Sequence, residues 1–262
     1  MINKKVAGLG LTLLLLETHT LFGFEAHRQS WQRSFKLAPG SAFLIHNSNG
    51  NLIVEPSQTD RVEVTAELIA NGFDAAERIQ GTHLEVTERD GYLKIQPRFA
   101  RRKEGLFERL FGQQSDTTIN YRVAVPDGLR LDFFTTTGDI SATNVGGTSK
   151  ISVINGSVYA SKVRGSVSAS AINGKIEVEM ERVADGSQMS FETVNGRIRT
   201  WFPKEVCADV DASSVNGRIK VDFPIQVRGK LSGSSVAGQI NRCGGANLSY
   251  RSINGGIDIL TR

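Results

Sequence analysis

Residues 166–178 read SVSASAINGKIEV and residues 188–200 read QMSFETVNGRIRT. Around Gly174 the positions seven, five and three before and two and four after are Val167, Ala169, Ala171, Ile176 and Val178; around Gly196 they are Met189, Phe191, Thr193, Ile198 and Thr200. All are apolar or small, and the residues between them are mostly polar. Alternation at period two is the mark of a half-buried strand and does not fit helical spacing. Each stretch therefore reads as two short strands joined at a bend, with Asn-Gly at the corner.

Working outward, the same unit recurs as TTTGDISA, SVINGSVYA, SAINGKIEV, ETVNGRIRT, SSVNGRIKV, SSVAGQIN and RSINGGIDI, centred on Gly138, Gly156, Gly174, Gly196, Gly217, Gly238 and Gly255. A period of roughly 20 residues with variable insertions is the signature of a solenoid whose coils stack and whose bends absorb the extra residues. Asn155, Asn173, Asn195, Asn216 and Asn254 each precede the glycine. A single Asn-Gly more often marks an antiparallel hairpin. Recurrence once per coil predicts instead a column of asparagines about 4.8 Å apart, linked by side-chain amides, with the pair taking the positive backbone angles of a sharp bend. Thr137 and Ala237 interrupt that column.

Upstream, SAFLIHNSNGNLIVEP carries an earlier copy of the signal at Asn49-Gly50. RVEVTAEL, HLEVTER, GYLKIQPR and INYRVAVP alternate as strands, and FDAAERIQG between them reads as one short helix capped by Asp74 and stopped by Gly81. Residues 27–130 are thus expected to be a more conventionally paired β portion with an insert at 97–117, leading into solenoid repeats over 131–262 as one continuous domain. At the N-terminus, Lys4 and Lys5 precede the apolar run Val6 to Leu16, which is too short to span a bilayer. The pattern matches a secretory signal peptide over residues 1–26, with an uncleaved anchor as the alternative.

The opening LIHNSNGNLIVEP, the stretch YRVAVPDGLRLDFFTTTGDISA and the successive SVNGRIKV-type coils resemble the bacterial putative-adhesin β-solenoid family, a domain of unknown function. The resemblance covers roughly residues 40–260. It implies an all-β, right-handed parallel β-helix-like solenoid on an exported protein, located in the periplasm, at the cell surface or outside the cell. It implies no activity and no functional residues.

Composition agrees with an ordinary folded chain. Of 262 residues, 39% are apolar and 22% charged, and 27 glycines stand against 6 prolines, which suits many turns between strands that keep their backbone donors. Disorder, collagen and a polytopic membrane protein are excluded, and short strands with few aromatics disfavour an outer-membrane barrel. The net charge is +4, and the signal carries two residues of each sign, so its removal leaves that figure unchanged.

No constellation in the sequence carries recognisable chemistry. His19, His27, His46 and His83 are scattered, with no cysteine partner and no metal-ligand spacing. No phosphate loop and no Gly-x-Ser-x-Gly elbow occur. No metal, cofactor, catalytic residue or nucleic-acid partner is expected, and no transmembrane span after signal removal. Parallel β-helices do host polysaccharide lyases and hydrolases, so a carbohydrate-active enzyme is the alternative. Glu177, Glu179, Asp222 and Asp258 do not line up as one facing pair on adjacent coils.

The surface feature singled out is basic. If coils stack in chain order, Lys175, Arg197, Arg199, Arg218 and Lys220 form a cationic strip with Trp201 on the same face. Such a strip reads either as a docking site for anionic polysaccharide, lipid head groups or envelope proteins, or as a solvated face that keeps sheets apart. In the insert, Leu106, Phe107, Leu110 and Phe111 share one helical face behind Arg101, Arg102 and Lys103, suiting a membrane contact or a cap. Chain-order stacking also sets Cys207 and Cys243 two coils, about 10 Å, apart, beyond disulfide reach, so two free thiols are expected.

Overall fold

The computed structural model describes residues 26–72, 74–100, 117–228, 234–241 and 245–262. The expected signal apart from Ala26, and the insert's apolar set Leu106, Phe107, Leu110 and Phe111, lie outside the described residues. The first half holds β1 (Ala26–Lys36), β2 (Ala42–Asn49), β3 (Leu52–Pro56), β4 (Arg61–Asn71), α1 (Ala75–Gln80), β5 (Thr82–Arg89), β6 (Tyr92–Phe99) and β7 (Thr118–Val125). The repeats begin with β8 (Arg130–Thr137), β9 (Ile140–Thr143), β10 (Gly146–Asn155), β11 (Val158–Asn173), β12 (Ile176–Arg182), β13 (Gln188–Asn195) and β14 (Ile198–Phe202). They end with β15 (Ala208–Ser214), β16 (Ile219–Val221), β17 (Ile225–Val227), β18 (Ser235–Ile240), β19 (Ala246–Asn254) and β20 (Ile257–Thr261).

All twenty strands join one sheet, folded along the line of bends into two walls. One wall runs β5, β6, β2, β8, β10, the second half of β11, β13, β19, β15, β18 and β17. The other runs β1, β4, β7, β3, β9, the first half of β11, β12, β14, β20 and β16. The central pairings are parallel. Antiparallel strands close the ends: β1, β4 and β5 at the N-terminal side, β17 and β18 at the other. Period-two alternation puts the apolar residues of both walls into one core. There Phe191 stacks on Tyr250 at 5.0 Å, and the Tyr250 hydroxyl shares a 2.9 Å hydrogen bond with Thr200 of the opposite wall.

The coils do not stack in chain order. From Gly50 the sequence of bends is Gly138, Gly156, Gly174, Gly196, then Gly255, then Gly217: β19 lies between β13 and β15, and β20 between β14 and β16. The last-built coil fills a slot inside the stack. The Gly238 segment is no coil at all; it is β18, antiparallel to both β15 and β17.

The bends approach one another closely. A β-carbon on Gly174 would lie 1.8 Å from the Gly156 carbonyl oxygen, one on Gly196 1.9 Å from that of Gly174, and one on Gly255 1.7 Å from that of Gly196. The expected reason for glycine, a positive φ, holds at Gly50, Gly138 and Gly156 but not at the later bends, and none of the five column asparagines takes a positive φ. Lack of a β-carbon, needed for backbone-on-backbone contact, is the requirement common to all of them.

Two smaller expectations change. Asp74 stands at the N-cap of α1 without a capping bond; its carboxylate instead accepts from Arg78 Nε at 3.1 Å, one turn on. Cys207 is disulfide-bonded, against the expectation of two free thiols; Cys243 lies outside the described residues. The two-coil separation assumed chain-order stacking, whereas β15 pairs directly with β19, Ala208 facing Ala246.

Replacing Gly196 with alanine is expected to destabilise by about 3 kcal/mol, because neither backbone can move aside. Gly186→Ala, at φ 75° with open space around it, should cost only about 1–2 kcal/mol. Urea unfolding of the two variants checks the difference; equal costs would contradict the contact.

Candidate functional site

The residues expected to act lie along the ridge of bends and on the outer face of the second wall. Immediately before each glycine, the asparagines form a chain of amide bonds. Asn173 Nδ2 donates to Asn155 Oδ1 at 2.8 Å, Asn195 to Asn173 at 2.8 Å, Asn254 to Asn195 at 2.8 Å, and Asn216 to Asn254 at 2.9 Å. The order follows the stack, with Asn254 ahead of Asn216.

A second ladder, not read from the sequence, occupies the position after the glycine on the earlier coils. The Asn120 side-chain oxygen accepts from the Asn51 amide at 3.0 Å, Asn51 from Asp139 at 2.9 Å, Asp139 from Ser157 at 2.7 Å and Ser157 from Lys175 at 3.4 Å. Asn120, on β7, starts the ladder; at the positions after the glycine, Asn51, Asp139 and Ser157 share no residue type, only a short side chain bearing an oxygen. On the core side, Thr135, Thr193 and Ser214 donate hydroxyls to the carbonyls of Gly50, Gly174 and Gly255. The bends are thus satisfied from both sides, as buried backbone requires.

The cationic strip is divided. Lys175, Arg197, Arg199, Arg218 and Lys220 do lie on one outer face, but the Gly255 coil inserts Gly256 and Asp258 among them. Asp258 stands in register with Arg199 on one side and Lys220 on the other. It lies 3.5 Å from Arg199 and 3.7 Å from Arg197; Glu177 lies 3.4 Å from Arg199 and 3.3 Å from Lys175; Asp222 lies 2.9 Å from Lys220. Half-exposed pairs of this kind contribute about 0–1 kcal/mol each. The Lys175 ammonium sits 5.0 Å from the centre of the Tyr159 ring, and that phenol, then Glu177, hold its pKa above the ordinary value. Arg218 has no ion pair among the described residues, and Trp201 pairs in register with Glu179 and Leu260.

Stacking brings together what the sequence analysis did not note. Two residues before each glycine, Ile154, Ile172, Val194, Ile253 and Val215 point outward from the first wall, in stack order; Ile172, Ile253 and Val215 are well exposed, Val215 at 71%. Across the ridge, the positions after the glycine carry Lys175, Arg197, Gly256 and Arg218. A row of aliphatics, exposed at Ile172, Ile253 and Val215, therefore runs parallel to a row that carries cations at Lys175, Arg197 and Arg218, the two rows three residues apart along the chain.

With the stack and its ridge defined, comparison with known proteins is decisive for family. Residues 45–259 match the family model Toastrack DUF4097. The chain belongs to that family. Toastrack DUF4097 accounts for the whole stack from the Gly50 coil to the Gly255 coil, in keeping with the resemblance to a putative-adhesin family seen in the sequence.

A solved structure from Clostridium sporogenes, of a protein called a putative cell adhesion protein, shares this Toastrack DUF4097 chain's fold at TM-score 0.55. It is 9% identical, and the match covers 90% of this chain and 100% of its own. A putative adhesin from Bacteroides fragilis is 10% identical over 89% of this chain and 97% of its own, at TM-score 0.34. A putative lipid binding protein from Parabacteroides distasonis is 13% identical over 89% and 96%, at TM-score 0.35. No curated protein matches the chain. Among the described residues, no helix is long and apolar enough to cross a membrane.

Asn254 takes part in two ladder bonds and Asn216 in one. Asn254→Ala is expected to destabilise by about 1–2 kcal/mol and Asn216→Ala by about half of that. Chemical denaturation of the two single variants checks the ratio; a larger loss at Asn216 would contradict the stack order.

Proposed function

We propose that the protein is a non-enzymatic, exported cell-envelope protein, an adhesin or scaffold that docks through its repeating β ridge onto an anionic surface of glycan or lipid head groups. The observation that carries this reading is the paired row of exposed aliphatics and cations along the bends. Lys175, Arg197 and Arg218 are its exposed basic members, and Gly256, between Arg197 and Arg218 in the stack, sets no side chain between them. Of the two anionic sources, the aliphatic row favours lipid, since apolar side chains gain by entering the head-group boundary while the flanking cations meet phosphate. A flat, periodic ridge suits polyvalent contact better than it suits a deep small-molecule site.

The reading takes residues 1–26 as an export signal and the coil as right-handed, the sense in which parallel strand crossovers run. It places the mature chain in the periplasm, at the cell surface or outside the cell, in contact with the anionic surface or with other envelope proteins. The adhesion name borne by the Clostridium sporogenes protein of the same fold supports it. Turnover of an acidic polysaccharide by the purified mature chain would favour the alternative, a polysaccharide lyase-like or hydrolase-like enzyme.

Co-sedimentation with vesicles containing phosphatidylglycerol, and with an acidic polysaccharide, tests the proposal. Arg197→Ser with Arg218→Ser is expected to weaken binding by about 2 kcal/mol, roughly 30-fold, at low salt, and the remainder should fall as salt rises. Unchanged binding by the double variant, or equal binding to neutral vesicles, would reject the ridge.

A further inference from the structure

A groove of about 410 Å³ opens on the outer face of the second wall, lined by Tyr159, Ser161, Glu177, Glu179, Trp201 and Arg262. It lies beside a β-bulge: the pairing of β11 with β12 slips between Ala160 and Val163, and Lys162 takes φ 53°. A bulge bends its strand and re-aims neighbouring side chains, and such features gather at sites. A larger hollow of about 850 Å³ lies among the turns near Pro39, Asp90 and Asp127, but no aromatic side chain lines it.

We infer that the groove is a saccharide-binding site that takes a neutral pyranose unit of a glycan. Three observations converge on that ligand. Tyr159 and Trp201 stand two coils apart on either side of Glu177 and Glu179, offset by two residues along the strands, about 12 Å in all. That gap admits one sugar ring, whose C–H face packs on an aromatic plane. Glu177 and Glu179 are both half-buried and face outward from alternate positions of β12, so their oxygens accept from neighbouring ring hydroxyls.

Each acid is already steadied by a cation. Arg262 Nε lies 3.0 Å from Glu179, and Arg199 and Lys175 lie 3.4 and 3.3 Å from Glu177. The backbone amide of Arg262 donates to the Phe202 carbonyl at 2.8 Å, which fixes the last residue against the groove. Pre-positioned acceptors and a guanidinium donor suit a ligand rich in hydroxyls. Two carboxylates in the lining disfavour an anionic group, so the groove's ligand differs from that of the ridge. The inference stands independently of the anionic-surface reading.

The chain has two tryptophans, Trp31 and Trp201. In a Trp31→Phe background, titration with maltotriose and with the N-acetylglucosamine trimer reads Trp201 fluorescence directly. Saturable change with one of the two trimers at millimolar concentrations is expected. Calorimetric titration should show Trp201→Ala and Glu179→Gln weakening that binding by about tenfold or more. Both variants should keep the parent's melting temperature, and Glu179→Gln should keep its binding to phosphatidylglycerol vesicles, which separates this inference from the ridge proposal. No response to either trimer, or undiminished calorimetric binding by both variants, would overturn it.

Discussion

At every bend of the stack, a glycine lies against the carbonyl of the neighbouring bend with no room for a β-carbon between them. This contact sets the geometry of everything else. It brings the corners of successive coils into line, so that residues at equal distances from the glycine fall into columns. Inward columns become the core, and outward columns become the two faces. The amide ladder exists because the contact holds Asn155, Asn173, Asn195, Asn254 and Asn216 one strand spacing apart.

The two ladders divide the ridge between them. From Asn51 to Lys175 the staple follows the glycine and is made by side-chain oxygens accepting from backbone, with Asn120 of β7 accepting at its start; from Asn155 to Asn216 it precedes the glycine and joins side chains alone. They overlap on the Gly156 and Gly174 coils. Where the asparagine ladder has taken over, the position after the glycine is released from its structural duty. That is where Lys175, Arg197 and Arg218 appear. The cations of the ridge thus occupy places that the earlier coils spend on holding themselves together.

Much of this was legible in the sequence. Alternation around Gly174 and Gly196 identified strands and their inward faces, and the Asn-Gly recurrence identified the ladder members. Stack order was not legible, because Asn216 and Asn254 present the same local pattern and nothing in either unit names its neighbour. In hindsight two residues bore on it. Gly256, alone among the positions after the bend, lacks a side chain where its neighbours carry arginines, and Ala237 breaks the asparagine column in the one segment that is antiparallel. The charge alternation of the outer face followed from the order, so it was hidden for the same reason. The groove was hidden because it depends on a bulge at Ser161 and Lys162, which no periodicity announces.

The insertion of the final coil has a consequence for how the molecule comes into being. A chain that emerges N-terminus first can lay down the Gly138, Gly156, Gly174 and Gly196 bends one upon another as they appear. The Gly217 segment then arrives with no seat, since its lower neighbour has not yet been made. Its parallel edge stays open, with β15 paired to β18 alone, until residues 246–262 enter between it and the Gly196 coil. Completion is therefore a closing event in which the Gly255 coil, later in the chain than the Gly217 segment, enters between two earlier coils as a keystone.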